Sequence, residues 1–382
     1  MNPGDLLDLI IRNEAHALVL GVPGTGKTTL IRLALAQRRD YPALVFDYVG
    51  NYRGFVDYYG VYPINPFEFI KPQDFTDVLG RVITVAYGYA NAMSPAMEEV
   101  IITALEESAL PGEDGDVYSI PHALQWLFTI GPDYFKYQDE QAALRGARRR
   151  LHELANNMLF ATRTHPVLRA WLDGGLRAQV GVRLRGFSLR QILLYVTTIL
   201  TIMARRVSEA IGWRLVVIDE AQYYAGAEGI SPLEEAVRIG RNYGYLYIAI
   251  TQDASAIPER LRGLFKVVVD FERSNTPFKA LVEARVTRPE LAVRAIPGRA
   301  DEAPRVRDFV TVDPNALRAF VRSGVDWFDC LKRAGLVESS IVGRYVYYKA
   351  CVNRGSRGCL KWVDRVRDLS SFEALWDCLA GH

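Results

Sequence analysis

Residues 21–28 read Gly21-Val22-Pro23-Gly24-Thr25-Gly26-Lys27-Thr28. The spacing is G-x-x-x-x-G-K-[ST], a loop built to wrap phosphate groups. The run Ala17–Leu20 before it is apolar and strand-like, and Thr29–Gln37 after it has a helical pattern. Glycines let successive backbone N–H groups curl around phosphate oxygens, and the helix that follows turns its positive end toward them. Gly21, Val22, Pro23, Gly24, Thr25, Gly26, Lys27, Thr28 and Thr29 are therefore the candidate nucleotide-binding residues. Lys27 is expected to reach the β- and γ-phosphates, and Thr28 to hold Mg²⁺ through its hydroxyl. The ligand class that follows is ATP with Mg²⁺.

Working outward, strands alternate with helical patterns. Gly4–Arg12 reads as a helix, Ala43–Asp47 as a buried strand, and Val61–Ile64 as a short one. From Pro72 to about Arg163 the pattern is helical, over Phe75–Tyr87, Ser94–Ser108, Pro121–Phe128 and Asp139–Leu159. Val180–Phe187 alternates as a strand, Leu189–Ile211 is a long helix, and Leu215–Asp219 is the continuous apolar run of a buried parallel strand. Leu233–Asn242 is helical, and Tyr245–Gln252 and Lys266–Phe271 are further strands. The expected fold is α/β: a P-loop NTPase of RecA-like type, with a mostly parallel sheet and helices on both faces. The expected ATPase core is 1–72 with 164–293, and 73–163 is a helical insertion. Ala295–Pro304 reads as a linker. Asn315–Ala334 then reads as helix and Val342–Val363 as a hairpin, giving a C-terminal winged-helix-like module over 305–382.

Leu215-Val216-Val217-Ile218-Asp219-Glu220 delivers two carboxylates to the edge of the sheet that carries the phosphate loop. Asp219 is the candidate Mg²⁺ ligand beside Thr28, acting through water. Glu220 is the candidate base that orients and deprotonates the attacking water. Gln252, at the tip of the next strand, is placed to sense the γ-phosphate or the lytic water. Asp47 ends the strand after the phosphate loop. It either touches the Mg²⁺ waters or caps a turn. Four arginines, Arg238, Arg241, Arg260 and Arg262, are candidates to enter a neighbouring subunit's site and neutralise charge there, with Arg241 and Arg238 first among them.

The bulk properties bound the rest. The 382 residues suit two to three domains, and an apolar fraction of 49% is ample for a large core. The net charge of +2 excludes a polycation, although 38 of the 46 basic residues are Arg. No run of 18 apolar residues is free of charge, so no membrane span is expected. Met1–Asn13 is amphipathic and acidic rather than a leader, which points to a cytoplasmic protein. Cys330, Cys351, Cys359 and Cys378 lack metal-ligand spacing, and free thiols or disulfides both remain open. Lys332–Arg367 holds nine basic and two acidic residues, interleaved with Tyr345, Tyr347, Tyr348 and Trp362, a composition that suits a nucleic-acid backbone. Arg145, Arg148, Arg149 and Arg150 form a second basic stretch that reads as a solvated helix face.

Five ordered motifs between about 15 and 290 together resemble the HerA/FtsK superfamily of ring-forming DNA translocases. Phe46-Asp47-Tyr48-Val49-Gly50-Asn51-Tyr52 resembles its D-x-x-G-E-Y turn, with Asn51 in place of the usual Glu. Tyr62-Pro63-Ile64-Asn65-Pro66-Phe67 resembles L-N-P-F. Val217-Ile218-Asp219-Glu220-Ala221-Gln222 follows a strand and long helix as in that group, Arg238-Ile239-Gly240-Arg241-Asn242-Tyr243-Gly244 resembles R-x-x-R-K-Y-G, and Ala249-Ile250-Thr251-Gln252 resembles A-T-Q. The resemblance implies a DNA-stimulated ATPase that pumps double-stranded DNA without sequence preference. It also implies a homo-oligomer, expected to be a hexamer, and a nuclease, conjugation or packaging partner. Twenty residues precede Gly21, too few for the β-barrel of full-length HerA-like helicases, so the chain is closer to the compact plasmid and viral forms. The alternative is a regulatory archaeal-type ATPase, which pairs the same core motifs with a C-terminal winged helix.

Overall fold

The structure is a computed structural model. It describes residues 1–87, 93–111, 116–130, 134, 138–155, 159–205, 212–225, 231–274, 278–285, 295–296 and 305–320. The four cysteines, the basic segment from Lys332 to Arg367 and the expected hairpin lie outside the described residues.

The strands are β1 (Ala17–Leu20), β2 (Ala43–Asp47), β3 (Tyr58–Gly60), β4 (Gln179–Arg183), β5 (Arg214–Ile218), β6 (Tyr245–Thr251), β7 (Val267–Asp270), β8 (Lys279–Arg285), β9 (Ala295–Ile296) and β10 (Arg305–Thr311). They form one sheet in the order β3-β4-β2-β5-β6-β1-β7-β8-β10-β9. From β3 to β7 every pairing is parallel, and from β7 to β9 every pairing is antiparallel. β1, β2, β5 and β6 are almost wholly buried, which explains their continuous Val/Ile/Leu/Ala runs. Because these strands are parallel, their C-terminal ends meet at one edge. The phosphate loop, Asp47, Asp219-Glu220 and Gln252 all follow there.

The chain divides into two compact units. The first holds residues 1–60, 170–186 and the described residues from 203 to 320. Its core packs helix Pro3–Arg12 and the phosphate-loop helix Lys27–Gln37 on the sheet, through Leu6, Leu7, Ile10, Leu30, Ile31 and Ala34. Pro3 opens the first of these helices, and the Asp5 carboxylate accepts the Asn2 N–H at 2.7 Å. The second unit, within the described residues, holds 61–169 and 187–202, and is mainly helical. Its helices Pro95–Glu107 and Ile120–Thr129 are each capped by a serine, Ser94 and Ser119. Its boundaries run wider than the expected insertion at 73–163. The reason lies in helix Leu189–Arg205: the Tyr195 hydroxyl donates to the carbonyl of Tyr62 at 2.5 Å, and its ring meets Phe160 edge-on.

Three sequence expectations need correction. The short strand expected at Val61–Ile64 is β3, three residues earlier, where Tyr58 and Tyr59 pair beside β4; Ile64 makes only an isolated bridge to Phe160. Helix Pro166–Leu172 was not anticipated. The C-terminal module does not begin at 305, because β10 is an integral strand in register with β8 from Arg305↔Arg285 to Thr311↔Lys279. The alternation that ends in buried Val310 and Val312 carries β10 into the sheet. Beyond it, Pro314–Phe320 is a 3₁₀ segment where the helix expected over Asn315–Ala334 was to start; the rest of that expected helix lies outside the described residues. No helix among the described residues is long and apolar enough to cross a membrane.

Candidate active site

At the C-terminal edge of the sheet lies a cavity of about 230 Å³. Pro23, Gly24, Gly26, Lys27, Thr28 and Thr29 line one side, and Asp219, Glu220, Thr251 and Gln252 another. Val49 and Asn51, from the turn after β2, and Phe278 complete it. β6 lies between β1 and β5. Gln252 thus emerges between the phosphate loop and the two carboxylates.

The loop has the conformation its glycines permit. Gly21 has φ +150°, and a Cβ there would stand 2.8 Å from the Cβ of Phe271. Gly26 has φ +107°, and a Cβ there would meet the Phe278 ring at 2.9 Å. Thr25 ties the loop by donating its hydroxyl to the Val22 carbonyl at 2.8 Å. The helix starts at Lys27, so its first N–H groups have no acceptor within the helix and face the loop's concavity. The Lys27 ammonium donates to the carbonyls of Gly21, at 2.5 Å, and Val22, at 2.9 Å. Burial lowers its pKa, while Glu220 and Asp219 oppose that shift.

Asp219 and Glu220 are both buried. Burial first, then the negative charges of Glu220 and Asp47, push the Asp219 carboxyl up to about 7; the Glu220 N–H and Lys27 pull the other way. An acid raised this far is short of positive charge, so the site suits a cation. Thr28 and Asp219 offer a hydroxyl and a carboxylate, the sparse protein ligation that Mg²⁺ takes when phosphate oxygens and water fill its remaining positions. No group of three His, Cys, Asp or Glu side chains forms a metal site among the described residues.

Glu220 adopts φ +56°, the left-handed region that non-glycine residues rarely enter. Holding it there costs roughly 1 kcal/mol or more. The Ala221 N–H, bonded to the Ile250 carbonyl at 2.8 Å, fixes the turn against β6. The Glu220 carboxylate is clamped by two amides: Gln252 Nε2 donates to Oε1, and Gln222 Nε2 donates to Oε2 at 2.5 Å. The Thr251 hydroxyl donates in turn to Gln222 Oε1 at 2.8 Å. Sequence reasoning gave Gln252 a role, but it used Gln222 only as part of a motif. The signal was there: two residues past the base, on a short helix, is within side-chain reach of it.

Asp47 is settled as a turn cap. Its fully buried carboxylate accepts from the N–H groups of Gly50 (2.7 Å), Asn51 (3.0 Å) and Tyr52 (2.9 Å) and from the Tyr59 hydroxyl (2.8 Å). Asn51, the departure from the family turn, lines the cavity, as does Val49. Sequence reasoning also missed Phe278, whose φ of +57° and packing on Gly26 bring it to the cavity from the start of β8.

Arg238 and Arg241 stand apart from the chain's own cavity. The fully buried Glu234 holds Arg238 at 2.7 Å and Arg260 at 2.8 Å, one on each carboxylate oxygen. Arg241 sits in the turn before β6, at the opposite end of the strands, where burial first and then the Arg241 charge lower the pKa of His16 and Lys266. Neither arginine lines the cavity.

Solved structures share this fold. The bacterial conjugative coupling protein TrwBdeltaN70, trigonal form in complex with sulphate, matches with a TM-score of 0.51 at 18% identity, over 82% of this chain and 81% of that one. The plasmid coupling protein TrwB in complex with ADP and Mg²⁺ matches with a TM-score of 0.51 at 18% identity, over 79% of each chain. No family model matches the sequence, and no curated protein matches it. The likeness is one of fold, an α/β sheet of the P-loop NTPase type.

Proposed function

We propose that this chain is an ATP-hydrolysing motor that moves double-stranded DNA, working as a hexameric ring. The observation that carries the hydrolytic reading is the clamped Glu220 carboxylate, placed with Gln252 and Lys27 on one phosphate-sized cavity. The N–H groups of the loop and of the helix start hold the phosphate oxygens. Lys27 leaves the Gly21 and Val22 carbonyls for the β- and γ-phosphates. A water oxygen bonds to the γ-phosphorus as the bond to the β,γ-bridging oxygen breaks, and Glu220 takes the water's proton. Thr28 and Asp219 would hold Mg²⁺, which would supply the positive charge that offsets the charge building on the phosphates. Gln252 and Gln222 keep the Glu220 carboxylate aimed and tie its position to the tip of β6. In a ring, Arg241 or Arg238 reaches the neighbour's nucleotide; neither lines the cavity of its own chain.

The motor reading draws support from the five ordered motifs of the resemblance and from a fold shared with conjugative coupling proteins. Its test is steady-state ATP hydrolysis with and without duplex DNA, using Glu220→Gln as the blank. Stimulation by DNA supports the motor. Hydrolysis indifferent to DNA refutes it in favour of the regulatory ATPase, and hydrolysis undiminished in Glu220→Gln removes Glu220 as the base.

A further inference from the structure

The sheet edge that carries the nucleotide cavity also carries three arginines that no carboxylate among the described residues pairs. Arg183 closes β4 in register with Asp47. Arg185 follows beyond Leu184, whose N–H is bonded to the Asp47 carbonyl at 2.9 Å. The extended backbone buries Leu184 and turns Arg183 and Arg185 out to solvent. Arg53, also exposed, belongs to the segment after β2. The three converge. The charges of Arg183 and Arg53 both reach the Tyr59 hydroxyl, and Arg185 lies against Gly50, its Cδ 3.3 Å from where a Cβ would stand. Among the described residues none of the three has an ion pair. Elsewhere in the same unit Arg38 is paired with Asp8 and Asp40, Arg273 with Asp270 and Glu283, and Arg307 with Glu283. Asp47, opposite Arg183 in the ladder, is committed to three N–H groups of the turn and to the Tyr59 hydroxyl.

We propose that Arg53, Arg183 and Arg185 form the surface that holds the phosphate backbone of double-stranded DNA, and that the turn capped by Asp47 couples this grip to the nucleotide. Guanidinium groups left unpaired beside one another match a phosphodiester backbone in charge and in bidentate geometry. The coupling is built into a single turn. Val49 and Asn51 line the nucleotide cavity, and Gly50 between them packs on Arg185. One carboxylate pins the N–H groups of Gly50, Asn51 and Tyr52 together, so a shift of Asn51 at the γ-phosphate moves the backing of Arg185 with it. β4 is the strand next to β2, so grip and turn lie about 5 Å apart across the sheet. The inference rests on the DNA-motor reading above and gives that reading its contact surface.

The test compares two variants of the full chain that lose equal charge. One is Arg53→Ala/Arg183→Ala/Arg185→Ala. The control, Arg12→Ala/Arg39→Ala/Arg177→Ala, removes exposed arginines that precede β1, β2 and β4, at the opposite edge of the sheet. Binding of a fluorescent duplex is read by anisotropy across a salt series, and hydrolysis is read with and without duplex. The first variant is expected to keep basal hydrolysis and lose stimulation. Its slope of log K against log salt should become shallower by about 3, and its affinity at 0.1 M salt should fall on the order of 100-fold, if each arginine holds one phosphate. The control is expected to bind and respond as wild type does. An unchanged slope with full stimulation in the first variant overturns the inference and leaves the motor intact. Equal losses in both variants overturn it by showing only net charge. Lost basal hydrolysis with normal DNA binding overturns it by placing these arginines at a nucleotide. A wild-type chain that neither binds nor responds to duplex defeats the motor reading itself.

Discussion

Asp47 is the residue on which the turn beside the nucleotide depends, and its replacement can be worked out from its contacts. The carboxylate is fully buried and accepts four hydrogen bonds, from Gly50 N–H and Asn51 N–H on one oxygen and from Tyr52 N–H and Tyr59 O–H on the other. In Asp47→Ala all four donors lose their acceptor. The Tyr52 and Tyr59 donors are in buried surroundings, and a buried donor left unpaired costs about 1–3 kcal/mol. The Gly50 and Asn51 donors are partly exposed and recover most of their loss from water. Removing a negative charge also relieves Asp219, whose raised pKa owes part of its shift to Asp47. The balance is a destabilisation of about 3 kcal/mol, near the lower end of the range for breaking a buried charged network. Asp47→Asn keeps one acceptor oxygen and turns an NH₂ group toward two donors, so about 2 kcal/mol is expected. Urea unfolding measures the stability, and titration with a fluorescent ATP analogue measures the cavity, whose Val49 and Asn51 walls belong to this turn. A variant within about 0.5 kcal/mol of wild type, with nucleotide affinity intact, would refute the reasoning. Loss of Mg²⁺ dependence without loss of stability would instead revive the metal role that the sequence left open for Asp47.

Lys27→Ala should abolish nucleotide binding, read by the same titration, because it removes the only cation lining the cavity among the described residues. Acid should unfold the protein partly through His16 and His165, both buried and lowered to about 3 from an ordinary value of 6.5. Below 6.5 the unfolded chain binds a proton at each that the folded chain does not, so their contribution is intact at neutral pH and lost as pH falls from 6.5 toward 3. His16→Asn keeps an acceptor for the Tyr247 N–H and should flatten urea stability against pH by about 1.4 kcal/mol per unit over that window. Gly240→Ala places a Cβ 2.3 Å from the Tyr247 ring and should lower stability by about 1–3 kcal/mol in thermal or urea unfolding. Truncation after Phe320 keeps β10 and should leave a folded ATPase; if the basic C-terminal segment grips DNA, the truncated chain should show a shallower salt dependence of duplex binding.

The parallel half of the sheet was legible because burial on both faces forces the apolar runs that mark it. Ala17–Leu20 and Ala43–Asp47 were read to the residue, and Leu215–Asp219 and Tyr245–Gln252 to within one. The antiparallel half was not legible. Lys279–Arg285 contains Ala280, Leu281, Glu283 and Ala284, all good helix formers, and only its neighbours β7 and β10 make it a strand. Without β8 in view, nothing in the sequence told that 305–311 returns to the sheet rather than opening a new module. The same blindness hid Phe278, which reaches the cavity only because β8 starts beside the phosphate loop.

The site was legible wherever a motif carries its own geometry, as the phosphate loop and Asp219-Glu220 do. It was not legible where one residue type answers two purposes. Arginine is that type here, with 38 copies in the chain. Two carboxylates and one turn sort four of them. Glu234 at α-helical spacing claims Arg238, and through its second oxygen Arg260. The turn before β6 carries Arg241 to the far edge of the sheet. Asp47, opposite Arg183 in the ladder, would be that arginine's partner on register alone; its four hydrogen bonds, three to the turn and one from Tyr59, commit it elsewhere, and Arg183 has no ion pair among the described residues. An arginine's role in this fold is therefore set less by its own position than by whether the nearest carboxylate is already committed. Lysine or glutamine at 53, 183 and 185 would keep the local structure, and only lysine would keep the charge. Replacing all three by lysine should retain the salt slope but weaken binding, because a point charge replaces a bidentate fork. Replacement by glutamine should lose both. Wild-type binding and salt slope in both variants would show that neither charge nor fork at this edge matters.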